Sequence, residues 1–397
     1  MKGLLLGSGG REHVLAFALK QANVDFACIP GNPGINQLCK CIDMPMSDSF
    51  IFGYLKKHPV DYTIINSEKY LISDLNTKLR DNNIKVFGPD INQVKLESSK
   101  IFAKNLMQKY NLPIANYQVF NSYQDIYNYI FTCKFPQIIK TDNSIIVNNL
   151  QEAIDIINLL RDPFKSLIIE DYLQGDEFVL PCLLDGKYIL PLIPVKSYKQ
   201  IYDYNSANTE DMGSIAPFNL DNNIKNQLSN IINNVKIMLE NENLFYQGCL
   251  QIKFIIANNT LYILGFNVRF GDPATQAIIP LLKINFFNLI QACFNGILDK
   301  INVEWYNQYT CCLVLVSQGY PFKYKSYKPL KINDTDCIVL HAGTYFNDER
   351  NQLFTNGGRA LNLIAIEDTL ELAREKVYKN IQNINYENIF YRANIGL

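Results

Sequence analysis

A chain of 397 residues with 48% hydrophobic content carries enough core material for two or three packed domains. Its 37 Lys and Arg against 38 Asp and Glu leave a net charge of −1, which offers no field to nucleic acid or to an anionic membrane and favours small-molecule partners. No apolar run is long enough to cross a bilayer, and the first strand starts without a basic region or a small-residue cleavage site, so a cytoplasmic location is expected. Ten cysteines stand singly apart from Cys39/Cys41 and Cys311/Cys312. Neither pair has the spacing of a redox CxxC or a zinc set, and all ten read as reduced core thiols.

From Met1 to about Leu96, short apolar strands at 3–6, 25–29, 62–65 and 86–87 alternate with helical stretches such as 14–20, the pattern of a doubly wound parallel sheet. The first strand runs into Gly7-Ser8-Gly9-Gly10-Arg11-Glu12-His13. Glycines there permit a sharp turn and leave backbone amides at a helix N-terminus, an anion site in form. As a dinucleotide fingerprint it is incomplete: the third glycine is out of place and no acidic ribose ligand follows the second strand, which makes NAD the weaker reading. His13 reads equally well as a solvated first-turn residue. Gly31-Asn32-Pro33-Gly34 follows the second strand, and Asn66-Ser67-Glu68 the third.

The run Leu96-Glu97-Ser98-Ser99-Lys100-Ile101-Phe102-Ala103-Lys104 opens a helix with a serine cap and Lys100 in its first turn, where lysine is ordinarily exposed. A strand at 136–140 ends in Lys140, and another at 167–170 runs into the acidic turn Glu170-Asp171-Tyr172-Leu173-Gln174-Gly175-Asp176-Glu177. Strands 179–184 and 188–195 flank Asp185-Gly186, a two-residue hairpin turn. An amphipathic helix covers 222–240, and 248–254 with 260–266 form a second hairpin. Its outgoing strand runs into Asn267-Val268-Arg269-Phe270-Gly271-Asp272-Pro273-Ala274-Thr275-Gln276, a polar turn that aims donors and acceptors at one point. A helical stretch from 277 to 298 leads to a C-terminal part marked by Gly319-Tyr320-Pro321, His341-Ala342-Gly343-Thr344, Thr355-Asn356-Gly357-Gly358-Arg359 and a closing Tyr391-Arg392-Ala393-Asn394.

These motifs, in this order and over essentially the whole chain, resemble the phosphoribosylamine–glycine ligase family of the ATP-grasp superfamily. The run from Phe266 to Gln276 is similar to the strand and turn that carry the family's metal site. The resemblance implies an α/β protein: an N-terminal doubly wound parallel sheet (1–98), an ATP-grasp lid (99–186) and core (187–303), and a C-terminal α+β domain (304–397). It implies ATP-driven joining of glycine to 5-phosphoribosylamine through glycyl phosphate, giving glycinamide ribonucleotide in de novo purine biosynthesis. ATP and Mg²⁺ or Mn²⁺ are the implied cofactors. Glycine, phosphoribosylamine and ATP are the implied small-molecule partners, with other purine-pathway enzymes as protein partners. Carried over residue by residue, Gly9, Gly10, Arg11, Glu12, Asn32, Gly34, Glu68, Thr355 and Arg359 fall to substrate binding. Lys100, Lys140, Glu170 and Glu177 fall to ATP, Asn267 to the metal, and Arg269 and Asp272 to catalysis.

The chain also departs from that pattern. Gly265 and Ala274 stand where the family has Glu, and Asn394 where it has Asp. Thr141-Asp142-Asn143-Ser144 takes the place of the glycine-rich triphosphate loop, and a second mobile loop is reduced to Arg161-Asp162-Pro163-Phe164. Glu210 and Asp211 replace glycines in a loop that keeps Asn208, Thr209, Met212 and Gly213. An amide oxygen carries no charge, so Asn267 without its neighbouring Glu implies weakened metal affinity. Two readings follow: a working ligase of divergent sequence, or an impaired paralogue that binds a ligand or a partner protein. A carboxylase-type relative would need a biotin or bicarbonate site, and no motif supplies one.

Overall fold

The computed structural model describes residues 1–45, 47–67, 73–140, 144–160, 166–202 and 208–397. Its N-terminal part is a five-stranded parallel sheet in the order Lys40–Cys41, Asp25–Pro30, Lys2–Gly7, Tyr62–Ile65, Lys85–Phe87. The strands are nearly all apolar because both faces are covered. Leu5, Cys28 and Ile64 pack with the helix Gly10–Gln21 on one side. Leu4, Leu6, Ile29 and Ile65 pack with the helices Asp48–Lys57 and Leu75–Asp81 on the other. The doubly wound sheet expected from the sequence is present.

A small antiparallel sheet, Tyr117–Phe120, Leu167–Asp171, Gln137–Lys140, Ser144–Val147, is backed by the helices Tyr123–Ile130 and Leu150–Leu159. A larger one runs Ile189–Pro191, Asp176–Asp185, Gln247–Ala257, Thr260–Asn267 and packs one face on the helices Lys100–Lys109 and Asn222–Asn241. The C-terminal sheet is centred on Tyr309–Ser317 and Arg359–Glu367, with the helix Leu370–Asn380 against it. Sheet membership crosses the sequence divisions. Asp176–Asp185 pairs along its whole length with Gln247–Ala257, while Lys196–Ser197 and Gly213–Ala216 join the C-terminal sheet.

The stretch 277–298 is not one helix. It breaks into Ala274–Ile278, a 3₁₀ turn Ile279–Leu281, and Phe286–Asn295. Pro280 brings no backbone donor, the Asn285 side chain caps the new helix by accepting from Phe287 N–H at 2.8 Å, and Gly296 ends it at φ +64°.

Register in the central hairpin decides what faces the site. Asn258 (φ 47°) and Asn259 (φ 60°) form a tight left-handed turn of the kind that suits strand twist. An irregularity then makes Leu264 an extra residue, so that Lys253 lies opposite Gly265 and Gln251 opposite Asn267. Directly opposed residues project to one side of a sheet. Leu250, Ile252, Phe254, Ile263 and Phe266 fill the core beneath, which leaves Gln251, Lys253, Gly265 and Asn267 on the other face.

Candidate active site

The turn after the first strand depends on Gly7, whose φ of +137° suits glycine and where a Cβ would sit 2.5 Å from Glu12 Cγ. Glu12 reaches back to accept from Gly9 N–H at 2.8 Å. Arg11 Nε donates to Glu12 Oε1 at 2.9 Å, and its Nη1 donates to the Phe270 carbonyl at 3.1 Å. Arg11 and Glu12 are buried. They fasten the loop to the Phe270 turn. Gly10 packs against the Asn362 amide.

Asn32 is likewise turned inward. Its Nδ2 donates to the carbonyls of Ser8 (2.8 Å) and His341 (2.9 Å), and its Oδ1 accepts from Ile35 N–H at 2.9 Å. Gly34 allows a close approach, since a Cβ there would lie 2.1 Å from His13 Cε1. His341 N–H donates to His13 Nδ1 at 2.7 Å, and His341 Nδ1 pairs with Thr344 Oγ1 at 3.0 Å. Burial, followed by the neighbouring His341, pushes His13 down to about 3, and burial pushes His341 down to about 4. Both rings are therefore neutral and interior; His13 is not a solvated first-turn residue.

A cleft of about 700 Å³ opens beside this loop, lined by Ser8, Gly9, Thr209, Asp272, Tyr320 and Arg359 among others. Arg359 Nη1 donates to Asp272 Oδ1 at 3.1 Å, and Nη2 donates to Glu210 Oε2 at 3.0 Å. Gln276 Nε2 also donates to Asp272 Oδ1, at 2.9 Å. Burial works against the Asp272 carboxylate, but the guanidinium of Arg359 and then that of Arg11 outweigh it and hold its pKa below the usual carboxylate range. Glu210 N–H donates to the Tyr320 hydroxyl at 3.2 Å. Tyr320 and Glu210 were not singled out as site residues, although Gly319-Tyr320-Pro321 was a recognisable motif. Thr355 lies beneath the cleft: it is fully buried and its Oγ1 accepts from Lys328 N–H at 3.0 Å. Glu68 falls outside the described residues, as do Thr141, Asp142 and Asn143 of the shortened triphosphate loop and the segment 161–165.

Between the small sheet and the central sheet, the buried Glu170 carboxylate sits between two buried lysines. Lys104 Nζ is 2.6 Å from Oε2, and Lys140 pairs with Oε1. Burial pulls the Lys104 pKa down against the opposing pull of Glu170. Lys104 was not singled out as a site residue, yet it stands one helical turn from Lys100 on the same helix face, the spacing that would have revealed it. Lys100 occupies the first turn behind Ser99, whose Oγ accepts from Phe102 N–H at 3.3 Å. Glu177 pairs with Lys199. Arg269 is held by Glu97, with Nη2 to Oε1 at 2.9 Å, while Glu97 Oε2 accepts from Val268 N–H at 2.8 Å. That pair locks the turn after the central strand onto the helix Ile91–Ser98.

The floor of this region carries Asn267, buried at the end of its strand, and Lys253 opposite Gly265. Burial, then Lys199, lowers Lys253 to about 8. Asp211 (φ +70°) has its pKa pushed up to about 6 by burial, and among the described residues its buried Oδ1 has no hydrogen-bond partner. No group of three His, Cys, Asp or Glu side chains suited to a metal ion occurs among the described residues. With glycine at 265 and an ammonium facing it, the pair of strands offers a divalent cation only the neutral amide oxygens of Gln251 and Asn267 and a like charge, a poor fit for Mg²⁺.

Family models for the phosphoribosylglycinamide synthetase N domain, ATP-grasp (A) domain and C domain match residues 1–97, 98–275 and 310–397. The phosphoribosylamine–glycine ligase of Fusobacterium nucleatum is 33% identical over 100% of this chain and 98% of its own length. The chain belongs to the phosphoribosylamine–glycine ligase family. The ligase of Caldanaerobacter subterraneus is also 33% identical, over 100% of this chain and 99% of its own. A solved ligase of this family from Thermotoga maritima superposes with a TM-score of 0.87 at 27% identity, covering 99% of both chains. The biotin carboxylase domain of a Hydrogenobacter thermophilus 2-oxoglutarate carboxylase shares the fold, with a TM-score of 0.74 at 12% identity over 98% of this chain and 91% of that one. No helix among the described residues is long and apolar enough to cross a membrane.

Proposed function

We propose that this chain joins glycine to 5-phosphoribosylamine at the expense of ATP, as a ligase of de novo purine biosynthesis. One observation carries the reading: in a chain aligned end to end with ligases of that name, the glycine turn of the first strand, Asp272 and Arg359 of the C-terminal part converge on one cleft. A glycine carboxylate oxygen would attack the γ-phosphorus, breaking its bond to the bridging oxygen and releasing ADP. The amine nitrogen of phosphoribosylamine would then attack the acyl carbon and expel inorganic phosphate.

Both steps bring anions together, so the protein's part is to supply fixed positive charge and donors. Arg359 is the proposed anchor for an anionic group of the phosphoribosyl substrate. It is now engaged by the exposed carboxylate of Glu210, a weak surface-type pair that an incoming phosphate would displace. Arg11, Glu12, Asn32, Gly34 and Thr355 are proposed to hold the cleft in shape. Lys100, Lys140, Glu170 and Glu177 remain proposed for the nucleotide side, joined by Lys104. Mg²⁺ or Mn²⁺ has Asn267 as its only assigned ligand, and no step is routed through it. A cytoplasmic location and association with other purine-pathway enzymes belong to the same proposal. The test is ADP release by the full chain with glycine and freshly generated phosphoribosylamine. Release that requires both substrates supports the reading, and release independent of either would overturn it.

A further inference from the structure

Resting on the reading of the central sheet as the nucleotide floor, we propose that Lys253 is the protein's own counter-charge for the nucleotide's phosphates. In this reading it acts where the resemblance places a carboxylate-bound divalent cation, so this chain binds ATP without requiring a metal ion. Register puts Lys253 directly opposite Gly265, on the face that also carries Gln251 and Asn267. The carboxylate implied at 265 is gone, and a cation faces the vacated position. Among the described residues, a Cβ at Gly265 would find no atom within 4 Å.

Most carboxylates nearby are already paired, and Asp211, whose Oδ1 has no hydrogen-bond partner among the described residues, reaches Lys253 only through space. Glu97 is held by Arg269, Glu177 by Lys199, Glu170 by Lys104 and Lys140, and Asp272 by Arg359. Among the described residues, the Lys253 ammonium makes no hydrogen bond or ion pair; Glu97, like Asp211, reaches it only through space. A half-buried ammonium without a side-chain partner is costly to keep, and a chain that only needed packing there would do better with an apolar side chain. An ammonium offers three donors and suits phosphate as a point charge, so a bound phosphate would restore what burial removed. The value near 8 agrees, since the group is still charged at neutral pH while waiting for an anion.

The experiment is calorimetry on the full chain with ATP in EDTA and with ATP in excess Mg²⁺, using the unmodified protein, Lys253→Met and Lys253→Arg. Metal-free ATP is expected to bind the unmodified chain within about threefold of its affinity with Mg²⁺. Lys253→Met should lose about tenfold or more of the metal-free affinity, Lys253→Arg should keep most of it, and both should unfold thermally no lower than the unmodified chain. ATP that binds only with Mg²⁺, and equally well to Lys253→Met, would overturn this inference and leave the ligase reading standing. ATP that binds under neither condition would overturn both.

Discussion

On the N-terminal side of the cleft, Asn32 ties Ser8, His341 and Ile35 together and His13 accepts from His341 N–H, so this cross-chain network is largely neutral and mutually satisfied. Around the central sheet the same problem is met with ions: Lys104 and Lys140 on Glu170, Lys199 on Glu177, Arg269 on Glu97. A neutral network keeps its shape whether or not a charged ligand arrives. An ionic one responds to ligands in proportion to its exposure, and that divides it into permanent pairs and exchangeable ones. Glu170 is 1% exposed and its pairs are permanent; Glu210 is 73% exposed at its side chain and its pair with Arg359 is exchangeable.

The largest test of this division is Glu170→Gln, which strips two buried ammonium groups of their carboxylate. It should cost about 3–5 kcal/mol in urea unfolding. An unchanged midpoint would place the triad among the exchangeable pairs. The neutral side is tested by pH. His13 and His341 have folded pKa values of about 3 and 4, below the unfolded 6.5, so below 6.5 the unfolded chain binds more protons. Stability is thus full above that value and falls as pH drops toward 4, by about 1.4 kcal/mol per pH unit for each ring. A urea midpoint that stays flat between pH 7 and 5 would show that the rings are not held neutral. Asn32→Ala should cost about 1–3 kcal/mol, because two carbonyls and one amide lose their partner. The smallest effect is expected from Glu210→Ala, which removes an exposed pair worth about 0–1 kcal/mol and should tighten binding of ribose 5-phosphate without lowering the thermal midpoint. Weaker binding would mean that Glu210 helps to form the site.

The parts legible in the sequence were those set by local rules. The parallel strands, the glycine turn at Gly7, a serine cap before Lys100 and the Asp185-Gly186 hairpin follow from apolar alternation and turn chemistry. The inward roles of Arg11 and Asn32 were not legible, because their partners lie 259 and 309 residues away along the chain. The stretch 277–298 kept an apolar period through Pro280 and so looked continuous. Lys253 was hidden by the irregularity at Leu264. Simple counting back from the Asn258-Asn259 turn pairs Lys253 with Leu264, and only the extra residue brings Gly265 across from it. The candidate site was therefore recognised from its motifs, while its charge pairing had to await the register.

The pair between Lys104 and Glu170 has a mechanical consequence. Lys104 belongs to a helix whose Ala103, Leu106 and Met107 are packed under the central sheet, whereas Glu170 and Lys140 belong to the small sheet above. The two sheets are pinned at one dry point. Added salt screens exposed pairs beyond about 10 Å at 0.1 M but hardly reaches a buried one. Such a pin favours rotation of the small sheet about it over sliding past it. Its range of motion should be set by temperature and by what lies between the sheets, and hardly at all by ionic strength.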